Sequence, residues 1–261
     1  MEIEIRELKD DRLKFFLSGA TPEFVNSLRR AILQEIPVMA VDEVDFMAND
    51  SVVDDEILAH RLGQVPLHTP EGYLLPSECD CRDGRCSNCS VSLTLKTEGP
   101  SLVKSGILES SDTEVVPASD SFPLTRLGEG QKLELMAIAR LGFGKDHPNW
   151  QPALASYKYM PIFGWKKDGC TLCGDCVEAC PPDLLEIADD EVVINDLEEC
   201  TMCKACVDAC PEGAIDIDQD SSKFIFKVES FGCMSPVRIL EKAAEVLKEK
   251  CEDFIGGTER F

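Results

Sequence analysis

The sequence predicts an α+β fold in which the two ends of the chain build one domain and the residues between them supply two more. Apolar residues recur every three or four positions in two helices near the ends, and they alternate in short strands beside these helices. The opening strands and helix need a closing strand and helix to complete one layered unit. A doubled cysteine motif over residues 170–211 marks a separate segment within the chain.

The first 46 residues predict a hairpin, a helix and a strand. Apolar residues alternate on both sides of the charged turn KDDR, which indicates a β-hairpin over residues 2–17. Thr21 and Pro22 suit the cap and first position of a helix, and Pro37 ends it before a strand that reaches Phe46. The helix carries an apolar stripe and an arginine pair: Phe24, Val25, Leu28, Ala31, Ile32, Arg29 and Arg30. The arginines suit either a solvated helix face or a contact with another protein.

The middle of the chain predicts a mostly β domain with one short helix. Residues 54–62 have the apolar spacing of a helix, and strands are predicted over Val91–Thr97 and Leu133–Ala139. The GFGKDH stretch lacks the glycine spacing and the hydroxyl residue of a phosphate-binding loop. No serine, histidine and carboxylate set with a nucleophile signature is found either. The sequence therefore predicts no nucleotide site and no catalytic residue.

A closing strand over Lys223–Glu229 precedes a long helix that begins at Ser235 and Pro236. Its apolar residues recur at spacings of three and four, which is the pattern of a heptad seam. The residues of this C-terminal seam are Val237, Leu240, Ala244, Leu247, Cys251 and Phe254. Ile239, Ala243 and Val246 widen the apolar face. Such a helix packs either in the core of its own chain or against another chain.

Composition indicates a globular protein of the cytoplasm that binds metal through cysteine. The 261 residues include 49 acidic and 26 basic side chains, a formal net charge of -23 that opposes binding to polyanions. A basic, apolar leader and a run of 18 apolar residues are both lacking, so we expect neither secretion nor a membrane span. Twelve of the 14 cysteines lie in tight clusters, which favours metal binding over disulfides.

The four-cysteine loop CDCRDGRCSNC is a candidate zinc site. Four thiolates at such short spacing can surround one tetrahedral Zn(II) ion. Free thiols or a labile disulfide are the alternatives. The predicted ligands are Cys79, Cys81, Cys86 and Cys89.

The strongest chemical signal is the repeat of CxxCxxCxxxCP over residues 170–181 and 200–211, with a predicted hairpin turning at Asp189 and Asp190 between the two copies. It resembles a bacterial-type two-cluster ferredoxin domain. The resemblance implies two 4Fe-4S clusters, each with three ligands from one repeat and a fourth from the other. The first cysteine set is Cys170, Cys173, Cys176 and Cys210, and the second cysteine set is Cys180, Cys200, Cys203 and Cys206. Zinc or disulfides are the alternatives.

Four pieces of the chain, in this order, resemble the alpha-like assembly subunits of cellular RNA polymerases, and most of all those of archaea. They are SLRRAILQEIPVMAVDEVDF with DEILAHRLGQVPL, the run from FPLTRLGEG to SYKYMP, and FKVESFGCMSPVRILEKAAEVL. The resemblance implies that the first and last helices form a dimerisation surface for a smaller alpha-like partner, subunit L in archaea. It also implies that the arginine pair lies towards a large catalytic subunit. The expected interface residues are Phe24, Leu28, Arg29, Arg30, Ile32, Val237, Leu240, Ala244 and Leu247.

Two functions are therefore compatible with the sequence. The first is a non-catalytic assembly subunit of DNA-directed RNA polymerase, in which DNA is reached only through the assembled complex. The second is a ferredoxin-type electron-transfer protein or redox-enzyme subunit, which the clusters alone would favour. The first accounts for both flanks of the cysteine-rich segment. It implies a discontinuous dimerisation domain over residues 1–48 and 222–261, a middle domain over 49–167 and a ferredoxin-like domain over 168–221.

Overall fold

The computed structural model describes residues 1–81 and 85–258, and the chain divides into two compact units. The first unit contains residues 1–6, 14–25 and 156–226, and the second contains residues 7–13, 26–155 and the chain from 227 onward. Arg82, Asp83 and Gly84, which stand between the two cysteine pairs in the sequence, lie outside the described residues.

Twelve strands and five α-helices account for the regular structure of the described residues. The strands are β1 (Glu2–Leu8), β2 (Arg12–Ser18), β3 (Pro37–Asn49), β4 (Ser90–Glu98), β5 (Ser101–Lys104), β6 (Glu109–Ser110), β7 (Pro123–Leu127), β8 (Lys132–Phe143), β9 (Ala153–Trp165), β10 (Leu185–Ala188), β11 (Glu191–Ile194) and β12 (Ile215–Ser230). The helices are α1 (Pro22–Gln34), α2 (Asp55–Gly63), α3 (Asp175–Glu178), α4 (Ala205–Asp208) and α5 (Pro236–Thr258).

The first unit is organised around a four-stranded sheet with the order β1-β2-β12-β9. Alternate residues of β2 are buried, and Phe15 stacks on Phe226 of β12 with ring centroids 5.2 Å apart. The neighbouring strands β9 and β12 lead into and out of the cysteine-rich segment, which we define as residues 168–214. The Lys166 N–H donates to the Ala214 carbonyl at 2.9 Å where the segment begins and ends. The segment is therefore the connection between two neighbouring strands of this sheet.

The second unit contains a four-stranded sheet with the order β3-β8-β4-β6 and a two-stranded sheet of β5 and β7. Its core consists of aliphatic side chains from these strands and from α2, whose Leu58 and Leu62 are fully buried. The four-cysteine loop leads directly into β4, and α5 follows the end of β12. This unit therefore holds both the candidate zinc loop and the long C-terminal helix.

The predicted elements are confirmed for the opening hairpin, α1, α2, β4, β8, the hairpin of β10 and β11, and α5. The closing strand is longer than predicted, because β12 starts at Ile215, eight residues before Lys223. Ile215 and Ile217 alternate with Asp216 and Asp218, but the polar residues 219–222 interrupt the apolar pattern before Lys223. Strand β9, which the sequence did not predict, contains Pro161, and the edge position of this strand tolerates a proline.

Strand β3, which follows α1, pairs with a strand of the middle residues, whereas the predicted domain boundary groups it with the two ends of the chain. The prediction placed residues 37–48 with the two ends of the chain, but β3 pairs with β8 over its whole length, from Pro37 opposite Phe143 to Asn49 opposite Leu133. This pairing joins β3 to the sheet of the middle residues. The division into three domains stays a prediction, with β3 as the element whose place is changed.

Candidate metal centres and partner surface

The four-cysteine loop brings its sulfur atoms together as a tetrahedral metal site requires. The Sγ atoms of Cys79, Cys81, Cys86 and Cys89 all lie within 4.8 Å of one another. The closest pairs are Cys79 with Cys86 at 3.4 Å and Cys81 with Cys89 at 3.5 Å. A zinc ion with four sulfurs at about 2.3 Å holds them about 3.8 Å apart. The loop therefore fits one Zn(II) ion, and its cysteines form no disulfide.

Local structure fixes two of these cysteines at the start of β4. The N–H groups of Cys89 and Ser90 both donate to the Cys86 carbonyl, at 3.1 and 2.9 Å, which makes a tight turn between the paired cysteines. The Asn88 N–H and the Cys79 thiol hydrogen bond the Cys86 sulfur and lower its pKa to about 7. Burial raises the pKa of Cys89 to about 12. The two thiols thus differ strongly in their tendency to ionise without a metal.

The cysteine-rich segment folds as two copies of one backbone motif. The second residue after the first cysteine of each repeat, Leu172 or Met202, has a positive φ of 54° or 55°. The residue that precedes each short helix, Gly174 or Lys204, also has a positive φ, of 88° or 63°. The N–H groups of Leu184 and Ala214 donate to the sulfurs of the last cysteines, Cys180 and Cys210, at 3.5 and 3.3 Å. The repeated sequence therefore produces a repeated structure, with each final sulfur oriented by a backbone amide.

The last cysteine of the second repeat lies beside the first three cysteines of the first repeat. One small cavity is lined by all four members of the first cysteine set, which include Cys210 from the second repeat, and by no member of the second cysteine set. Burial raises the pKa of Cys176, and the neighbouring thiols that raise it further are Cys210 and Cys173. Burial likewise raises the pKa of Cys206, with Cys180 and Cys200 as its neighbours. The first cysteine set thus lines one cavity, and Cys206 lies near Cys180 and Cys200, while the assignment of the cysteines to two clusters stays a prediction.

The surroundings of these cysteines suit an iron–sulfur cluster. The core around them consists of Cys176, Cys206 and four aliphatic side chains, with the aromatic rings of Phe163 and Trp165 packed against it. The indole nitrogen of Trp165 is buried and has no hydrogen-bond partner among the described residues. A buried N–H without an acceptor is costly, and sulfide ions of a cluster accept such bonds. An apolar core with cysteine sulfurs and one unused N–H donor fits 4Fe-4S clusters.

Helix α5 keeps its seam exposed. Ile239 and Ala243 are fully buried and hold the helix to its own chain. The C-terminal seam lies on a different side, where Val237 is 38% exposed and Phe254 is 75% exposed. Ala244 and Cys251 are exposed as well, and Leu240 and Leu247 are partly buried. The apolar seam that the sequence indicated is therefore available to another protein over the described length of α5.

Helix α1 contributes less surface than the sequence predicted. Leu28 and Ile32 are expected interface residues, but the chain itself buries them, to 5% and 0% exposure. The apolar stripe of α1 faces the interior of its own chain, which leaves Phe24, 38% exposed, as its accessible apolar member. Arg29 is held by Asn26, whose Oδ1 atom accepts from Nε and one terminal nitrogen at 3.2 and 3.0 Å. Arg30 is exposed and has no side-chain partner among the described residues.

Comparison with known proteins identifies the family. The model of the RNA polymerase Rpb3/Rpb11 dimerisation domain matches residues 14–251. The chain belongs to this family. The Rpb3/Rpb11 match runs from β2 to Cys251 of α5 and includes the cysteine-rich segment. None of the described helices is both long and apolar enough to cross a membrane, so they contain no candidate span.

Within the Rpb3/Rpb11 family, the chain is similar to archaeal proteins named DNA-directed RNA polymerase subunit Rpo3. It is 43% identical to the Rpo3 of Methanothermobacter thermautotrophicus, with 98% of each chain covered. It is 43% identical to that of Archaeoglobus fulgidus, with 97% of this chain and 96% of the relative covered. The Rpo3 of Thermococcus kodakarensis is 36% identical, over 98% of this chain and 96% of its own. These relatives share the whole length of the chain, not one domain of it.

Several residues that hold the metal loops could not be found from the sequence. Arg85 precedes Cys86 and forms ion pairs with Glu43 and Asp45 of β3, and Arg140 of β8 pairs with Glu43 at 2.9 Å. Lys14 and Lys158 reach the second cysteine repeat. Each pair joins residues far apart in sequence, so no local spacing marks them. Because the chain has 49 acidic and 26 basic residues, the sequence does not indicate which acidic residues form ion pairs.

Proposed function

We propose that this chain is an alpha-like, non-catalytic assembly subunit of DNA-directed RNA polymerase that pairs with a small alpha-like subunit, subunit L in archaea. The open C-terminal seam carries this proposal. Apolar seams with period 3.5 pack against a second apolar surface, and single chains seldom leave them in water. The Rpo3 names of full-length relatives and the Rpb3/Rpb11 dimerisation domain agree with such a role. Polymerisation chemistry and its magnesium ions belong on this view to the large subunits.

Arg30 is the member of the arginine pair that we assign to a large catalytic subunit. A guanidinium makes strong, planar hydrogen bonds to carboxylates, and an exposed one is available to make them with another chain. Asn26 occupies the guanidinium of Arg29, whereas Arg30 has no side-chain partner among the described residues. The contact expected from the family resemblance therefore falls to Arg30, with Arg29 ordering the helix turn next to it.

The cysteine-rich segment is proposed to hold two 4Fe-4S clusters, one on each cysteine set. When bound, the clusters supply cross-links between the two repeats and a capacity for one-electron exchange. Cys176 and Cys206 belong to the buried core of the segment. Folding of the segment therefore depends on whether clusters are bound to its cysteines. Cluster occupancy then controls whether the segment presents an ordered surface to the larger subunits. Because cluster occupancy is coupled to folding of the segment, the clusters either support the structure or let the redox state control assembly.

The four-cysteine loop is proposed to bind one zinc ion, and replacing Cys86 with serine tests it. The zinc content of the anoxically purified chain should fall from about one atom per chain to near zero, because a structural site needs all four ligands. Metal analysis by mass spectrometry measures the change. Cys251→Ser is the matched control, since Cys251 is exposed and lies outside all three cysteine groups. Equal zinc in Cys86→Ser and Cys251→Ser would exclude this loop as the zinc site.

Affinity purification of the tagged chain from its native cells under anoxic conditions tests the assembly role. We expect a small alpha-like subunit and the large polymerase subunits to be retained in fixed stoichiometry. Recovery of flavin-containing or other redox subunits without polymerase would instead support the electron-transfer function. The electron-transfer function is compatible with the structure because Cys173 and Cys203 are exposed, so each cysteine set lies close to the surface.

A further inference from the structure

The second cysteine repeat is fastened to the sheet of the first unit by side chains, at the point where it begins. Asp196 accepts hydrogen bonds from the N–H groups of Glu198 and Glu199, at 2.9 and 3.3 Å, and shapes a single 3₁₀ turn immediately before Cys200. This turn fixes the direction in which the chain enters the second cysteine set. Cys200 is the first ligand of that set along the repeat.

Three cations from the sheet hold this turn. Lys158 of β9 donates to the Cys200 carbonyl at 3.0 Å. Lys14 of β2 pairs with Glu199 at 2.9 Å and with Glu198 at 3.1 Å. Arg6 of β1 also reaches Glu198, with its Nε atom 3.5 Å from the carboxylate. These three cations, which we call the clamp, therefore join three strands to the residues that position Cys200.

Lys14 is less exposed than Arg6, the other cation that pairs with Glu198. Its side chain is only 13% exposed. Burial opposes the ammonium charge, but hydrogen bonds to Glu199 and Glu198 outweigh this effect and raise the pKa of Lys14. A partly buried ammonium between two carboxylates is screened less by solvent than an exposed surface pair. The contact thus contributes more to local order than an ordinary surface ion pair.

The first repeat lacks a comparable attachment. Its entry residues, Lys166 to Gly169, are all exposed, and the side chains of Lys166, Lys167 and Asp168 make no hydrogen bond or ion pair within the described part of the chain. Backbone hydrogen bonds alone hold this entry, from Lys166 to Ala214 and from Cys170 to Lys167. The two repeats have the same backbone conformation. They differ in the contacts that residues outside the repeats make near the first cysteine, Cys170 or Cys200.

We propose that Lys14 and Lys158 are positioning residues for the cluster of the second cysteine set, and that this cluster loses its iron more slowly than the other. The inference rests on the proposed presence of two 4Fe-4S clusters. Residues that orient a ligand from outside the coordination shell usually alter metal retention strongly. Here they act by holding the carbonyl of Cys200 and the turn before it, so that its sulfur stays in place when an iron begins to leave.

Single-cluster chains separate the two sites. Cys173→Ser leaves the second cysteine set complete, and Cys203→Ser leaves the first cysteine set complete. Each full-length variant is reconstituted anoxically with ferrous iron and sulfide, and iron release to a ferrous chelator is followed over time. Release should be slower from the Cys173→Ser chain. Adding Lys158→Met should accelerate it about tenfold in that chain, the usual effect of removing an outer partner of a metal ligand, and leave the Cys203→Ser chain unchanged.

Two further variants control for general loosening of the fold. Lys158→Arg retains a donor and should restore slow release, while Lys167→Met removes a cation from the entry of the first repeat and should alter neither chain. Equal acceleration by Lys158→Met in both chains, or no acceleration in either, would overturn the positioning role while leaving the clusters in place. Failure of the unsubstituted chain to bind iron and sulfide would overturn the proposed clusters themselves, and this inference with them.

Discussion

Replacing Cys173 or Cys203 with serine is expected to halve the iron content of the chain, from about eight atoms to about four, because each substitution removes a ligand from only one of two four-iron clusters. The heterodimer with the small alpha-like subunit should still form, since the C-terminal seam lies outside the cysteine-rich segment. Joining of the large subunits should fail or slow, because a segment that has lost its cluster loses its ordered core. Anoxic purification followed by iron analysis and size-exclusion chromatography measures all three quantities.

Cys251→Ser provides the matched control for iron content, because it removes an exposed cysteine from α5 and should leave about eight atoms in place. Fully normal polymerase assembly by Cys173→Ser and Cys203→Ser chains, with half of the iron absent, would contradict the proposed role of the clusters. Loss of the heterodimer itself would also contradict it, since that result would mean that the segment supports α5 or its partner directly.

The local geometry of the cysteines could be predicted because its information is local. Two copies of one cysteine spacing specify two copies of one turn and short helix, as the matching φ values of Leu172 and Met202 indicate. The four-cysteine loop is equally compact, and its sulfurs meet within 11 residues of chain, from Cys79 to Cys89. The choice of partner cysteine between the repeats came from a family resemblance, since spacing alone does not determine it.

Long-range pairing limited the rest of the prediction. Lys14 and Glu199 meet across 185 residues of sequence, and nothing near either residue indicates the other. The polar residues 219–222 continue strand β12 in the sheet beside β9, and the place of β3 was decided by its pairing with β8. Strand partners depend on where the whole chain brings two segments together, so local alternation identifies a strand without identifying its sheet.

The two ambiguous helices show how burial resolves what periodicity leaves open. Both α1 and α5 have apolar faces, and the sequence allowed either to lie in the core or at an interface. In α1 the apolar stripe is used within the chain, as Leu28 and Ile32 demonstrate. In α5 the chain fully buries Ile239 and Ala243 and leaves Val237, Ala244 and Phe254 exposed, because the apolar face is wide enough to serve two surfaces. The width of the apolar face therefore distinguished the two helices better than its periodicity did.

Aspartate in place of Ala244 is expected to weaken the heterodimer by at least about 2 kcal/mol, equal to about a thirtyfold higher Kd. Ala244 lies in the middle of the C-terminal seam and is exposed, so the chain should fold normally, while a carboxylate at this position would have to lose its water against an apolar partner. Titration of the co-purified small subunit by calorimetry measures the effect.

Lys248→Ala is the matched control for that substitution, because it changes the net charge of the same helix by the same one unit at an exposed position beside the seam. Its effect should stay within a few tenths of a kcal/mol, as for most solvated surface charges. An equal loss in both variants would attribute the effect to charge and leave the seam without a demonstrated contact. Unchanged affinity in Ala244→Asp would place the partner elsewhere. Only a selective loss identifies the C-terminal seam as the surface on which the small subunit packs.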